Sequence, residues 1–221
     1  MLINPLVSIV IPVYNGSDYL AEAIDSALNQ TYNNVEVLVI NDGSVDGGKS
    51  RDLALSYGNR IRYFEKENGG VSTALNLGIK EMRGEYFSWL SHDDVYFPEK
   101  IQRQIEFIKE NQSPLSITYT DFNCINEVSE VVNDIQVREI QPQAFKIEFI
   151  LGGLLHGCSL LIPKECFNVC GGFNEELRAT QDFDLWFRFS EANFTFYHIP
   201  EILVKWRLHA QQVSVKRKAL C

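Results

Sequence analysis

Four short apolar runs do most to limit what this chain can fold into: Leu6–Val13 (LVSIVIPV), Val35–Ile40 (VEVLVI), Ile61–Phe64 and Tyr86–Leu90. The first two are nearly continuous and rich in β-branched residues, without the polar alternation of a half-exposed strand. That is the pattern of parallel strands buried on both faces. Helix-patterned segments separate the runs. Leu20, Ile24, Ala27 and Leu28 recur at helical spacing, and Ala74, Leu75 and Ile79 do so in a later segment. Turn residues mark each change. Tyr14-Asn15-Gly16-Ser17 precedes the first helix, with Ser17 or Asp18 placed to cap it. Asn41-Asp42-Gly43-Ser44 ends the second strand, Asp46-Gly47-Gly48 opens a helix through Tyr57, and Asn68-Gly69-Gly70 introduces the third helix. A βαβαβαβ series with connections this short is expected to wind into a parallel α/β sheet through right-handed crossovers.

The fourth run ends unlike the others. In Tyr86–Pro98 (YFSWLSHDDVYFP) the apolar residues give way to Ser91, His92, Asp93 and Asp94, and Pro98 is expected to be the first residue of the next helix. Two adjacent carboxylates thus stand at the carboxyl end of a strand, the edge where open α/β sheets bind ligands. No Lys or Arg lies within five residues on either side. A hard divalent cation such as Mg²⁺ or Mn²⁺ would relieve their repulsion. The bland alternative is that Asp94 caps the helix entered at Pro98.

Beyond Pro98 a helix is expected to about Asn111, with Ile101, Ile105 and Ile108 on one face, and then the regular alternation stops. Ser116–Asp121 reads as a strand, Val128–Gln141 as a loop or hairpin, Gln143–Leu151 as a short helix and Cys158–Ile162 as a strand. Lys164–Cys170 reads as a helix stopped by Gly171-Gly172. A helix over Asp182–Ala192 and strands over Phe194–His198 and Ile202–Trp206 complete the chain. The expected organisation is one domain, residues 1–221, with a nucleotide-binding type of half (1–112) and a differently built half (113–221).

A net charge of −9, from 20 basic and 29 acidic residues, argues against nucleic acid as principal partner, since phosphate backbones need a basic face. An acidic chain still accommodates a diphosphate when a metal ion neutralises it. The five cysteines, Cys124, Cys158, Cys166, Cys170 and Cys221, are odd in number and unevenly spread, which points to a reducing compartment rather than a disulfide framework. Cys166 and Cys170, with His156 and Cys158, admit a zinc reading. Their neighbours Leu160, Leu161, Ile162 and Phe167 favour buried apolar cysteines instead. No stretch approaches the roughly 20 apolar residues of a membrane helix. The apolar run Leu6–Ile11 stops at Pro12 without a basic region before it, so no signal peptide is expected. The expected location is the cytoplasm, or the inner face of the cell membrane.

Gly43–Ser50 (GSVDGGKS) fits the phosphate-binding pattern G-x-x-x-x-G-K-[ST] and lies between strand and helix. Against a nucleotide triphosphatase stand Asp42 before the loop and Asp46 inside it, which would repel a bound anion. A helix start with Asp46 favouring the dipole and Lys49 in solvent explains the same residues.

Taken together, several blocks resemble family 2 glycosyltransferases: Val7–Gly16 (VSIVIPVYNG), Glu36–Asp46 (EVLVINDGSVD), Asn68–Gly78 (NGGVSTALNLG), Trp89–Pro98, Gly171–Asn174 (GGFN) and Gln181–Arg188 (QDFDLWFR). Arg207-Leu208-His209, followed by Gln212 and Ser214, resembles the usual end of the series. The resemblance implies an α/β GT-A fold: a Rossmann-like, mainly parallel mixed sheet flanked by helices, fused to an acceptor-binding half. It implies inverting transfer of a sugar from a nucleotide-diphosphate sugar, a UDP-sugar first, to a glycan or lipid-linked acceptor, as in polysaccharide or cell-envelope synthesis.

Residue by residue, the resemblance gives Pro12 and Tyr14 a place beside the donor base, and gives Asp42 recognition of base or ribose. Asp93 falls near the donor sugar or ribose. Asp94 becomes the direct ligand of Mn²⁺ or Mg²⁺, and His209 approaches that metal or the pyrophosphate. Ser91 departs from relatives with a further acid there, which leaves fewer ligands, and His92 is a spacer. Asp182 matches the catalytic base, preceded by Gln181 where glutamate is common. Asp184 is expected to be structural, and Leu185, Trp186 and Phe189 to lie in the core. His156-Gly157-Cys158 falls on a loop near donor sugar and acceptor, with His156 either structural or a substrate contact. Lys216-Arg217-Lys218 is too short a basic run to anchor a membrane alone, which leaves peripheral association open. A non-catalytic sugar- or nucleotide-binding protein is the further alternative, and the presence of Asp182 together with Asp93-Asp94 speaks against it.

Overall fold

The computed structural model describes residues 4–140, 144–145, 147 and 155–209. The helix expected over Gln143–Leu151 falls mostly outside them, as do Lys216–Lys218 and Cys221. The first sheet has the order β3-β2-β1-β4-β8. It is built from β1 (Val7–Val13), β2 (Val35–Asn41), β3 (Arg62–Glu65), β4 (Tyr86–Trp89) and the two-residue β8 (Ile162–Pro163). The first four are mutually parallel and β8 runs antiparallel to β4. Every residue of β1 is buried, as its continuous apolar sequence requires of a central strand covered on both faces. Helices α1 (Leu20–Leu28), α2 (Lys49–Ser56) and α3 (Val71–Glu81) connect these strands.

The strand order places a topological switch point between β1 and β4, because the chain leaves β1 toward β2 on one side and returns as β4 on the other. Such a crevice at the carboxyl edge is where open α/β sheets bind ligands. Register aligns what leaves it. Val13 stands opposite Asn41 and Val10 opposite Trp89, so Tyr14, Asp42 and the Ser91–Asp94 loop emerge along one edge. At Gly16 the His92 ring comes so close that a Cβ would overlap it, which couples the two loops across the crevice.

The second sheet has the order β5-β9-β6-β7, from β5 (Val95–Tyr96), β6 (Ile117–Ile125), β7 (Val131–Ile135) and β9 (Phe196–Arg207). The two halves exchange strands. β5 lies just after the acidic loop yet pairs with β9, and β8 leaves the second half to pair with β4. Helix α4 (Lys100–Glu110) follows β5. Pro98 is not its first residue, because Glu99 is the N-cap and Pro98 lies in the turn forced by β5. That turn is tied to the segment just after α1 through Thr31 N to Pro98 O at 2.8 Å and Gln30 Nε2 to Phe97 O at 2.9 Å.

Of the less regular second half, some expectations take a different form. The Cys158–Ile162 run is divided between a 3₁₀ turn (Gly157–Ser159), a bridge from Leu161 to Thr118 of β6, and β8. It is shared between two sheets and so cannot be one strand. The hairpin alternative for Val128–Gln141 holds, with β7 antiparallel to β6. The two expected C-terminal strands are one, β9, whose pairing with β6 skips from Ile199 to Ile202 around Pro200. Proline has no N–H for the ladder, and the register breaks there. Helices α5 (Lys164–Cys170) and α6 (Gln181–Glu191) pack together behind them, with Gly171 at φ 77° ending α5.

Gly78 lets α3 lie directly on β1, where an added Cβ would overlap Val10 Cγ1. Gly-to-Ala inside a helix by itself gains roughly 1 kcal/mol. Overpacking a fixed, fully buried β-branched neighbour costs roughly 1–3 kcal/mol. Gly78→Ala is therefore expected to lower the urea midpoint with an unchanged m-value, and a rise would show that α3 has room to move outward.

Candidate active site

The acidic loop is built from both halves. After β4 a turn closed by Asp94 N to Ser91 O (3.1 Å) buries Asp93 and Asp94, the latter only 2% exposed. The sequence shows no nearby cation, but the β5–β9 pairing brings Arg207 alongside. Its backbone N donates to Asp94 Oδ1 (3.0 Å) and its Nε to the Asp93 carbonyl (2.8 Å). The remaining donors reach Asn126 O, Ser129 Oγ and the Glu22 carboxylate, and the guanidinium lies 4.4 Å from the centre of the Tyr19 ring. The ion pair of Arg207 is thus with Glu22, and neither loop carboxylate takes its side chain. Sequence reasoning gave Arg207 no role. Its place at the end of a β-branched and aromatic run was the available signal.

His209 meets Asp93 rather than Asp94, with Nε2 2.9 Å from Asp93 Oδ2 and its ring beside Tyr19. Asp94 Oδ2 instead accepts from Cys158 Sγ (3.1 Å) and has His156 Nε2 at 3.7 Å. Burial, and after it the Asp93 charge, pushes the Asp94 carboxyl well above its ordinary value. Burial holds the His156 imidazole down at about 4, so it is neutral at physiological pH, and pushes the Cys158 thiol up. His92 packs on Gly16, and burial lowers its pKa also.

On the β1–β2 side, Pro12 is buried in β1 opposite Ile40, and Tyr14 at the strand's end is 46% exposed. Asp42 is buried, and its carboxylate accepts from Lys66 Nζ (2.7 Å), Gly70 N (2.7 Å), Gly69 N (3.1 Å) and Asn68 Nδ2 (3.3 Å). The visible work of Asp42 is to hold the 66–70 loop over β2. The phosphate-loop reading of Gly43–Ser50 fails on the same geometry. Asp46 folds into the loop and accepts from Ser50 N and Oγ at 3.0 and 2.6 Å. Asn41 and Asn15 take the N–H groups of Ser44 and Val45, and Lys49 is exposed.

The third wall comes from α6. Trp186 packs edge-on to Phe173, and Phe173 edge-on to Trp89. The Trp89 ring in turn lies on Gly157, beside His156 and Cys158. Asn76 fixes Phe173 by bonding both its N (2.8 Å) and O (2.9 Å). Asp184 pairs with Arg188 at 2.8 Å, and Arg188 also holds the carbonyls of Cys170 and Gly172. This aromatic series orients the amino end of α6, where Thr180 is the N-cap at φ 62° and Asp182 is the second helical residue. Asp182 Oδ1 accepts from Phe183 N (3.0 Å), and burial raises its carboxyl above the ordinary value.

Among the described residues, Trp89 Nε1, His156 Nδ1, Gln181 Oε1 and Trp186 Nε1 are buried without a hydrogen-bond partner. Each orphan costs roughly 1–3 kcal/mol. Two of them, Trp89 and His156, lie beside the acidic loop, and two, Gln181 and Trp186, lie on α6.

The family description Glycosyl transferase family 2 matches residues 8–164. An uncharacterized glycosyltransferase of Rickettsia felis is 50% identical over 216 residues, covering 96% of this chain and 36% of that protein. The hyaluronan synthase of Pasteurella multocida is 32% identical over 217 residues, covering 96% of this chain and 21% of that one. The chain thus spans about a third or less of these relatives' length. A crystal structure of S. aureus TarS in complex with UDP-GlcNAc superposes with a TM-score of 0.72 at 19% identity, covering 94% of this chain and 60% of that one. That likeness shows a shared fold. Among the described residues no helix is long and apolar enough to cross a membrane.

Replacing Arg207 by Met keeps its length but strips donors from Glu22, the Asp93 carbonyl and the 126–129 turn. Breaking a buried pair costs roughly 3–5 kcal/mol, and the lower end is expected because Glu22 reaches solvent. The Arg207→Met chain should lose that stability in denaturant melts. An unchanged midpoint would mean that solvent already serves these acceptors.

Proposed function

The chain belongs to glycosyl transferase family 2, and we propose from that premise that it is an inverting glycosyltransferase using a UDP-sugar, with a hydroxyl of a glycan or lipid-linked molecule as acceptor. The observation that supports this reading is the buried pair of acids at the crevice between β1 and β4, with a carboxylate of raised pKa at the start of α6, a helix whose Trp186 is linked through Phe173 to Trp89 of β4. UDP enters as donor because the fold is shared with TarS, crystallised with UDP-GlcNAc.

In this reading Tyr14, exposed beyond β1 next to Pro12, covers the donor base. Asp42 reaches base or ribose by exchanging one of the donors it already holds, and it also fixes the loop beneath them. Asp93 faces the donor sugar or ribose. The residues present fit a divalent cation: two buried carboxylates, with no side-chain cation on either apart from the histidines His156 and His209. Asp94 and His209, with Asp93 between them, are the residues that would hold Mn²⁺ or Mg²⁺, which neutralises the diphosphate when bound.

Asp182 acts on the acceptor. A sugar hydroxyl is a poor nucleophile at neutral pH, and a placed carboxylate takes its proton as the oxygen attacks. The new bond joins the acceptor oxygen to the anomeric carbon, and the bond from that carbon to the diphosphate oxygen breaks on the opposite face, which inverts the centre. Burial raises the Asp182 carboxyl above its ordinary value, which makes it a stronger base than a surface carboxylate.

Two measurements test the reading. UDP with Mn²⁺ should raise the melting temperature above either alone, by mass action on the folded state, and Asp94→Ala should remove that synergy. Equal stabilisation of mutant and wild type would show that the metal lies elsewhere. Asp182→Asn keeps size and backbone hydrogen bonding but cannot accept a proton, so kcat should fall about 10²–10⁴-fold with donor affinity intact. In the wild type the acid limb of kcat should lie above the ordinary carboxylate value, since burial raises this group and only its ionised form is active. Transfer within a few-fold of wild type in the Asn variant would place the base elsewhere.

A further inference from the structure

Asparagine is a poor choice for the middle of a helix, because its short amide competes for backbone hydrogen bonds. Asn76 stands in the middle of α3 and directs that amide to another segment. Its Oδ1 accepts from Phe173 N at 2.8 Å, and its Nδ2 donates to Phe173 O at 2.9 Å and to Glu175 Oε1 at 2.8 Å. The side chain thus engages both backbone groups of Phe173, as a neighbouring strand would. Gly172 makes room for it, since a Cβ there would overlap Asn76 Oδ1.

We propose that Asn76 is a positioning residue that sets the place of Asp182 relative to the donor-holding half. This rests on the reading of Asp182 as the base, and adds what fixes its distance from the donor.

Two observations carry the assignment. First, α3 begins on the loop that Asp42 holds. Gly70, the N-cap of α3, gives its N–H to Asp42 Oδ2 at 2.7 Å, and Lys66 Nζ, itself paired with Asp42, donates to Thr73 Oγ1 at 2.8 Å. Thr73 and Asn76 are three residues apart and so neighbours on one helix face. That face carries the donor-side contacts at one end and the grip on Phe173 at the other.

Second, α6 is held at its two ends by different routes. Phe189, in its last turn, packs edge-on to Phe167 of α5, which packs edge-on to Phe87 of β4. Trp186, one turn after Asp182, packs edge-on to Phe173, the residue that Asn76 grips. With the carboxyl end of α6 pinned on α5, the place of Phe173 decides where the amino end points. A misplacement of about 1 Å can cost a reaction roughly 10²-fold in rate.

The experiment compares Asn76→Asp, Asn76→Ala, and Asn76→Asp combined with Glu175→Gln. Asp keeps the size and still accepts from Phe173 N, but it turns an oxygen toward Phe173 O and the Glu175 carboxylate. Ala removes all three bonds without adding charge, and decides the matter if the Asp variant does not fold. In the combined variant the new glutamine amide can donate to the new carboxylate. Hydrogen exchange of the ligand-free chain is read first: amides of residues 172–185 should exchange at least about tenfold faster in the single variants, with β1 and β2 unchanged. UDP with Mn²⁺ should bind them with wild-type affinity. Release of UDP from UDP-GlcNAc is read next, with water in place of the acceptor hydroxyl. The water oxygen bonds to the anomeric carbon, its proton goes to Asp182, and the bond to the diphosphate oxygen breaks. The kcat of this release should fall at least about tenfold with KM unchanged, and the combined variant should recover part of both losses.

Unchanged exchange over 172–185, or faster exchange with an unchanged kcat, overturns the proposal. Loss of UDP affinity together with kcat also overturns it, since a general loosening of the fold would do the same. Should Asp182→Asn slow UDP release while neither Asn76 variant does, the positioning role falls and the transferase reading stands. Should the wild type neither bind UDP with Mn²⁺ nor release UDP, the transferase reading falls, and exchange alone decides whether Asn76 sets the place of α6.

Discussion

The side chain of Arg207 is fully buried at the end of β9 and gives its donors to three separate parts of the chain: Glu22 on α1, the Asp93 carbonyl after β4, and the 126–129 turn. Its backbone N adds Asp94. A guanidinium has five donors in a rigid fork, and here they reach three separate segments, so the geometry of the acidic loop is tied to where β9 ends. The same contact closes the strand exchange between halves, because β5 pairs with β9 only if the loop before it is held in place. Lysine could not substitute, having one point of charge and no fork.

On the opposite side of the crevice a carboxylate does the equivalent work. Asp42 collects a lysine, an asparagine and two glycine N–H groups, and so turns the 66–70 loop into a wall. Gly43 allows this closeness: its φ is +69° and a Cβ would press on Asn68 N. Beneath the floor lies a further buried polar cluster. Lys100, fully buried, donates to Ser88 Oγ (3.0 Å) and Gln104 Oε1 (2.9 Å), and burial lowers it to about 7. Gln104 passes the connection to Ser159 O, one residue after Cys158. A satisfied network of this kind fixes one packing of the loop where an apolar core would admit several.

The parallel half was legible because its signals are local. Continuous β-branched runs, helical spacing and turn residues predict β1 through β4 to within a residue or two, since each depends on its own sequence. What the sequence hid is long-range register. Nothing near Val95-Tyr96 says that they pair with a strand 110 residues on, and so Pro98 looked like a helix start. Cys158–Ile162 is apolar enough for a strand, but two sheets divide it. His209 and Asp94 were joined by resemblance, whereas β9 delivers His209 to Asp93 and the turn at Gly157 delivers His156 and Cys158 to Asp94. Candidate residues were readable one at a time, while their partners depend on which strands lie side by side.

The protonation chemistry follows the same division between scaffold and crevice. Glu36, which burial alone would raise, is held below its ordinary value by hydrogen bonds from Ser8, Arg83 and Arg62. Asp46 is held low first by the Ser50 hydroxyl. Such acids favour the fold above the pKa of the unfolded chain, and that contribution is lost as pH falls through their lowered values. Asp94 and Asp182 are raised, so the sign reverses: they favour the fold while protonated, and the contribution is lost as pH rises through their folded values. At neutral pH the crevice therefore costs stability that acids elsewhere help to offset. The cation proposed at Asp94 would remove its share of the cost, because the ionised form then has a partner. Asp182 has no such relief within the fold, and the role of proton acceptor proposed for it would account for keeping a carboxylate partly desolvated there.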